Sequence, residues 1–556
     1  MSTTVAEGIR PSDWSIVRSQ VRYATTEYWR ARLVLIFSLF IPLTWLLVIG
    51  AVAGNDVLDG TGGLRVMQFA TPVALSMGAL YAALPTTAST LAHARETRVL
   101  VRLRGTPTPM WAYLAGRAVG ASVFALISMA VVLVAAVVVH DVRVVASTLP
   151  ATLVTLTLAL VCYVVVGLAL AAWIPSGSTA QAVSIGAVVI LSFVSGLYTG
   201  FGSPLPEALD RTAALFPVKP VTEALQDQFN PVLPGAGLDL SLLVVLAVWT
   251  VAAGVLAARG LSRERAGLPW SRRPHRPAGP GSVQAGEAAR VAAAAPVGRG
   301  RRRRSGSAAS MVADQVLAGL RLTWRDPGAV FFAVLVPVGL YAFLSTMTGD
   351  PSLASGVPPT THHAASMIAW GVGVTAFMNL PESVAQARDR GVLKRLRGTP
   401  LCPLQLLVGR VVTTVLVNLA LAALILTLGV VALDLSLTGA GVLVLVVVIV
   451  VGTLSLAAAG FLLATVVPGA RALGAVALVV LLPLAFVSDV LLTGGPEWMG
   501  TVGSAFPLRH LQHALVAALD PGGAAVPWVA IGVMLAWMLA AGAAAVRWFR
   551  WQADPA

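Results

Sequence analysis

Cysteine and lysine are nearly missing from this chain of 556 residues, with two of each. Cys162 lies inside an apolar run and Cys402 in a basic segment, at different depths, so neither a disulfide nor a cysteine-based metal spacing is expected. Neither Lys219 nor Lys394 stands in a Gly-x-x-x-x-Gly-Lys-Ser/Thr run, which excludes ATP hydrolysis by a phosphate-binding loop on this chain. Histidine is scarce as well. His362-His363 and the pair His510 and His513 are not completed by cysteine or a well-placed carboxylate, so they read as polar surface and no metal is expected. Charged residues make up only 11%, and carboxylates near the middle of apolar runs are almost absent, which an ion-coupled secondary transporter would need. The N-terminal stretch holds Arg10, Arg18, Arg22, Arg30 and Arg32 without an early apolar run, so no signal peptide is expected.

What is abundant is hydrocarbon. Hydrophobic residues are 57% of the chain and the mean hydropathy is +0.83, more apolar surface than a soluble protein of this length can hide. The fold class is therefore an all-α polytopic membrane protein. A net charge of +14 suggests nucleic acid only until its residues are placed. They lie almost wholly between the apolar runs, as the positive-inside rule requires, so no nucleic-acid partner is expected. The bias to Arg, Ala and Val is that of a GC-rich bacterial genome, and the expected location is the bacterial cytoplasmic membrane.

Two segments are near copies. Residues 94–117 read ARETRVLVRLRGTPTPMWAYLAGR and residues 387–410 read ARDRGVLKRLRGTPLCPLQLLVGR, with 13 of 24 positions identical. A period of 293 residues is too long for a solenoid, so two homologous halves are fused in one chain. Each copy is a basic patch between apolar runs, carrying Arg95, Arg98, Arg102 and Arg104 in the first and Arg388, Arg390, Lys394, Arg395 and Arg397 in the second. Both belong on the cytoplasmic side. Leu100 with Leu103, and Leu393 with Leu396, give a short helix one apolar edge, and the Gly-Thr-Pro of 105–107 and 398–400 ends it. A loop that is basic only to set topology would explain one copy; a matched pair points to docking elements.

The rest of the chain is organised in two parallel halves. The first, 1–258, has an interfacial helix at 12–32 and spans at about 33–53, 67–91, 112–138, 146–173, 180–200 and 238–258. The second, 311–556, has an interfacial helix at 311–326 and spans at about 328–347, 365–386, 404–432, 438–466, 472–493 and 525–546. Trp14, Val17, Val21 and Tyr28 share one face of the first interfacial helix, with Arg18 and Arg22 elsewhere. Gln20, Trp29, Arg30 and Pro42 recur as Gln315, Trp324, Arg325 and Pro337. Residues 201–237 and 494–524, too apolar for a solvated loop and too broken for a span, carry the matched runs FPVKPVTEALQDQFNP and FPLRHLQHALVAALDP. Between the halves, 259–310 is a basic Pro/Gly/Ala/Arg-rich linker, read as a soluble cytoplasmic tether ahead of a lipid-headgroup binder. Both termini are expected in the cytoplasm.

The span, the run (A/D)R(E/D)xGxLxRLRGTP and the following span resemble the permease subunit of ABC-2 type transporters, as does Phe-Pro with Ala-Leu after a six-residue gap in each outer segment. The resemblance covers everything but the linker, and is to the fused twelve-span form of the actinobacterial multidrug or tetronasin-resistance type. The first copy departs from the pattern, with Thr97-Arg98 where the second has Arg390-Gly391. The resemblance implies the type V exporter fold. It makes 94–107 and 387–400 coupling helices, whose residues include Glu96, Gly105, Thr106, Pro107, Asp389, Gly398, Thr399 and Pro400. It makes the interfacial helices connecting helices, and the outer segments re-entrant caps. Two copies of a separate ABC ATPase would bind ATP and magnesium, and this chain would bind no cofactor.

The expected function is outward movement of an amphipathic drug, antibiotic or lipid between the halves. Met77, Tyr81, Phe193, Tyr198, Trp370, Phe377 and Phe486 are candidates for substrate contact, with helix packing or lipid contact as the plainer explanation of each. Glu382, beside Asn379, reads as an interfacial salt bridge ahead of a proton relay. A lipid or glycan precursor as cargo, an ion-coupled secondary transporter and a non-transporting membrane scaffold are the alternatives.

Overall fold

The computed structural model describes residues 13–30, 32–57, 63–103, 105–106, 108–174, 176–197, 207–232, 237–265, 308–325, 330–347, 357–393, 402–467, 469–491, 495–520 and 526–548. Among them the regular structure is helical, apart from one antiparallel bridge between Val57 and Arg65. The first half contains α1 (Asp13–Arg30), α2 (Arg32–Ala53), α3 (Val66–Glu96), α4 (Val99–Leu103), α5 (Met110–His140), α6 (Leu149–Trp173), α7 (Gly177–Val194), α8 (Glu207–Ala213), α9 (Val218–Phe229) and α10 (Leu240–Arg265). The second contains α11 (Ala308–Arg325), α12 (Val336–Met347, led by a π-turn Phe331–Leu335), α13 (Pro359–Asp389), α14 (Pro403–Ala432), α15 (Gly439–Val466), α16 (Ala470–Val487), α17 (Glu497–Ser504), α18 (Pro507–Leu519) and α19 (Trp528–Trp548). Eight of these helices are long and apolar enough to cross a bilayer, and shorter apolar helices stand at α2, α7, α12 and α16. With every backbone group bonded inside its own helix, this is the fold that hydrocarbon tolerates.

Each half wraps around one helix. α3 packs against α2, α5, α6, α7 and α9, and α13 against α12, α14, α15, α16 and α18, giving two separate apolar cores. These two central helices are the least apolar of the eight long spans and the most buried, whereas the helices around them turn valine and leucine to lipid. Where α6 crosses α3, Gly167 lies on the Leu84 carbonyl; where α15 crosses α13, Gly460 lies on the Phe377 carbonyl, at the same repeat offset.

Among the described residues the halves meet chiefly in two places. α2 packs on α16, and α7 packs on the π-turn before α12. There Gly186 receives the Phe331 ring, and Phe193 meets Phe343 edge to face at 5.8 Å. α13 carries a second π-turn, Gly373–Asn379, in which the Thr375 hydroxyl donates to Asn418 (2.6 Å), whose amide donates to Thr453 (3.0 Å). Ala82, Ala125 and Leu160 stand at these places in the first half, so the buried polar chain belongs to one half only. π-turns recur where helices serve function as well as span.

Candidate functional site

The docking segments leave α3 and α13 by the same backbone path. Thr97 N–H donates to His93 and Arg98 N–H to Arg95 (2.9 and 3.0 Å); Arg390 N–H donates to Gln386 and Gly391 N–H to Arg388 (3.0 and 2.9 Å). Arg98 and Gly391 both sit in the left-handed region, at φ 58° and 68°. This explains the mismatch between the two copies: the turn wants glycine, the second half has it, and the first holds an arginine there at a cost of about 1 kcal/mol. Arg98→Gly is therefore expected to raise the chain's stability by about 1 kcal/mol, read as a higher melting temperature in detergent.

After the turn α4 lays Leu100 into a small core with Leu91, Ala92, Tyr113 and Ala180, and leaves Val101, Arg102, Gly105 and Thr106 exposed; Leu103 is half-buried against the same core. Leu393 is buried with Ala387 and Leu406 in the second half. Not every basic residue of the motif faces outward. Arg95 is buried, its guanidinium donating to the carbonyls of Ala171 and Ile174 at the end of α6, and Arg388 is nearly buried beside Asp389 (3.3 Å). The acceptors are unsatisfied helix-end carbonyls, which a cation satisfies well. Arg104, Pro107, Lys394, Arg395, Leu396, Arg397, Gly398, Thr399 and Pro400 lie outside the described residues.

Both halves also share an anchor that motif reading missed. Glu96 Oε2 accepts the Gly177 N–H at 3.0 Å, and Asp389 Oδ2 accepts the Ala470 N–H at 2.9 Å. Each carboxylate thus holds the first amide of α7 or α16, where a helix presents free donors and partial positive charge. α7 and α16 each touch the opposite half. Between the two turns lie α5, α6, α10 and α13, four of the helices long and apolar enough to cross a bilayer, with the shorter apolar helices α7 and α12.

The interfacial helices pack in one register. Gln20 of α1 lies against Gly116 of α5, and Gln315 of α11 against Gly409 of α14. The packing face of α1 is Gln20, Ala24 and Tyr28 rather than the face with Trp14, which is mostly exposed, as are Trp29 and Trp324. Arg18 and Arg22 are exposed; the side chains of Arg30 and Arg325 lie outside the described residues. In the first half Arg117 pairs with Glu27 at 2.9 Å, donates to the Tyr113 hydroxyl at 3.2 Å and lies over the rings of Tyr28 and Tyr113. Burial holds the Tyr28 phenol above its ordinary range, and its hydroxyl lies 3.3 Å from that of Thr90. Glu27→Ala, leaving this buried guanidinium without its carboxylate, is expected to cost roughly 2 kcal/mol, measured as a lowered melting temperature.

The substrate candidates are not brought together. Met77 and Tyr81 belong to the core of the first half, Phe377 to that of the second with Trp370 packed on it, and Phe193 reaches across to Phe343. Phe486 is partly buried, and Tyr198 lies outside the described residues. His362 is a buried residue rather than surface, bonded to Ser366 (3.1 Å) and to Gln512 of α18 (3.2 Å). His513, with Arg509, meets Asp489 at 3.0 Å. Glu382 makes no ion pair among the described residues; it accepts from Gln386 at 3.0 Å and lies against Gly474 of α16.

The family model described as ABC-2 type transporter matches residues 17–229 and 316–519, once in each half. No curated protein matches the chain.

Proposed function

The chain belongs to the ABC-2 type transporter family, and from that membership we propose that it is the permease subunit of an ATP-driven exporter of the fused, twelve-span drug- or tetronasin-resistance type. Two copies of a separate ABC ATPase would bind one docking turn each, carrying the ATP and magnesium that this chain has no motif to hold. The cargo is an amphipathic drug, antibiotic or lipid, moved outward across a bacterial cytoplasmic membrane in which the docking turns and both termini face the cytoplasm.

The observation that carries this reading is the pair of docking turns, each tied by a carboxylate to a helix that reaches the other half. When ATP draws two ATPase subunits together, the turns would move as a pair. Each would carry the start of α7 or α16 with it, and so shift the packing of α7 on the π-turn and of α16 on α2. Movement is thereby directed to the seam between the halves, where an export path has to open. Selectivity falls to a mostly apolar seam, which suits greasy ligands better than ions.

The test is ATP turnover by the purified chain in lipid nanodiscs, alone and with a candidate ATPase, using Arg102→Glu and Arg395→Glu beside the wild type. The chain alone is expected to be silent and the complex active, with each reversal of charge lowering assembly or cargo-stimulated turnover at least about tenfold. If no ATPase binds and both variants behave as wild type, the docking reading fails and a secondary transporter or a scaffold takes its place.

A further inference from the structure

Arg410 of α14 is the repeat mate of Arg117, and it has lost every partner that Arg117 has. The two interfacial helices keep one register on their neighbours: Gln20 on Gly116 matches Gln315 on Gly409, and Ala24 on Gly120 matches Gly319 on Thr413. Continuing along that register, Leu322 stands where α1 has Glu27, and Thr323 where it has Tyr28. Leu322 is 59% exposed, and the Thr323 hydroxyl bonds back to Gly319 of its own helix at 3.1 Å. The place of Tyr113 is taken by Leu406. So the carboxylate, the phenol hydroxyl and both rings around Arg117 are gone, and a threonine fills the space of a tyrosine.

Among the described residues Arg410 keeps one bond, from Nη1 to the Ser383 hydroxyl at 3.0 Å, and no carboxylate pairs with it. A guanidinium offers five N–H donors in a planar fork suited to a phosphate, and leaving it partly buried and unpaired is costly. Arg410 lies in the second turn of α14, roughly 10 Å from the helix start at the docking end. That is headgroup depth, beside a helix whose Trp324 is exposed as an interfacial anchor would be. We propose that Arg410, oriented by Ser383, whose hydroxyl donates to the Leu380 carbonyl (2.8 Å), binds the phosphate of an anionic phospholipid from the leaflet on the docking side, in the position that Glu27 fills internally in the first half. The site stands independently of the ATPase reading. It would make the second interfacial helix responsive to lipid charge, whereas the first is closed by its own carboxylate.

The experiment uses the full chain, purified and partly delipidated, with phosphatidylglycerol and phosphatidylcholine offered as competing probes and retained lipid counted by native mass spectrometry. The wild type is expected to keep phosphatidylglycerol over phosphatidylcholine by roughly tenfold, the value of one or two charge-assisted bonds. Leu322→Glu, which supplies on α11 the carboxylate that α1 supplies on its side, is expected to abolish the preference, as is Arg410→Gln. Phosphatidylglycerol is also expected to raise the melting temperature of the wild type and not that of Leu322→Glu, a readout that survives if Arg410→Gln folds poorly. Equal retention of the two lipids by the wild type, or an unchanged preference in Leu322→Glu, overturns the proposal and leaves Arg410 simply hydrated.

Discussion

A chain carrying Glu96→Ala together with Asp389→Ala is expected to fold and to bind the proposed ATPase, yet to export at least about tenfold less of the proposed cargo per ATP hydrolysed. Magnitudes separate the two effects. A carboxylate accepting one part-buried amide at a helix start contributes about 1 kcal/mol, and Asp389 also pairs with Arg388, so losing both lowers stability by about 3 kcal/mol, spread over two halves with separate cores. Folding tolerates that. Coupling does not, because these are the bonds that tie each docking turn to the helix packed on the opposite half. Without them the turn retains only side-chain packing, such as that of Leu100 with Ala180, to move α7 or α16, and the pull on them weakens. Glu96→Asp gives the first half the acid that the second half uses, and is expected to export as the wild type does. The measurement pairs cargo uptake into inverted vesicles with phosphate release, on proteins whose melting curves are recorded alongside. A double alanine variant that moves as much cargo per ATP as the wild type would sink the idea that these carboxylates transmit force.

How far the fold could be read in advance depended on the kind of signal. The run Arg-Leu-Arg-Gly-Thr-Pro, found twice, exposed the duplication, and the apolar runs exposed the helices, because hydrocarbon admits few alternatives. The left-handed turn was written in Gly391 and concealed by Arg98, since only one copy carries the residue that such a turn favours. The targets of Glu96 and Asp389 left no trace at all: they are backbone amides of Gly177 and Ala470, and an amide has no residue identity for a motif to show. Arg117 and Arg410 close the two copied segments and look equivalent there; their different surroundings are set by Glu27 and Tyr28 against Leu322 and Thr323, in helices far away in the chain. The surroundings of the aromatic candidates were hidden for another reason. The apolar run to about residue 200 promised a long fifth span with Tyr198 in it, but α7 ends at Val194 and turns through Gly196 at φ 75°. The helices carrying Met77 and Phe377 are the central ones, and their modest hydropathy, with Thr71, Ser76, Thr86 and Thr87 all buried in α3, was the available sign that protein rather than lipid surrounds them.

The same repeat predicts where the chain tolerates no side chain. Gly167 and Gly460 let α6 and α15 cross their central helices with backbone touching backbone. A Cβ at Gly167 would stand 2.7 Å from the Leu84 carbonyl oxygen and nearer still to the Thr87 hydroxyl. At Gly460 it would press on the Phe377 carbonyl oxygen and come within 2.8 Å of the Pro381 ring. Neither obstacle is the far end of a flexible side chain, so relief requires moving whole helices, and close approach through small residues is what packs helices in a bilayer. Gly167→Leu and Gly460→Leu are each expected to cost about 3 kcal/mol or more, and together to remove the folded, monodisperse protein from detergent extracts. Gly254→Ala on α10, whose added Cβ meets only Val165 at 3.8 Å, is expected to be neutral and serves as the control. Fluorescence-detected gel filtration and melting curves report the outcome. A Gly460→Leu chain with a wild-type melting temperature would mean that α15 does not cross α13 at this point. The Thr375–Asn418–Thr453 chain, which joins α13 to α15 through α14, would then lose its foundation.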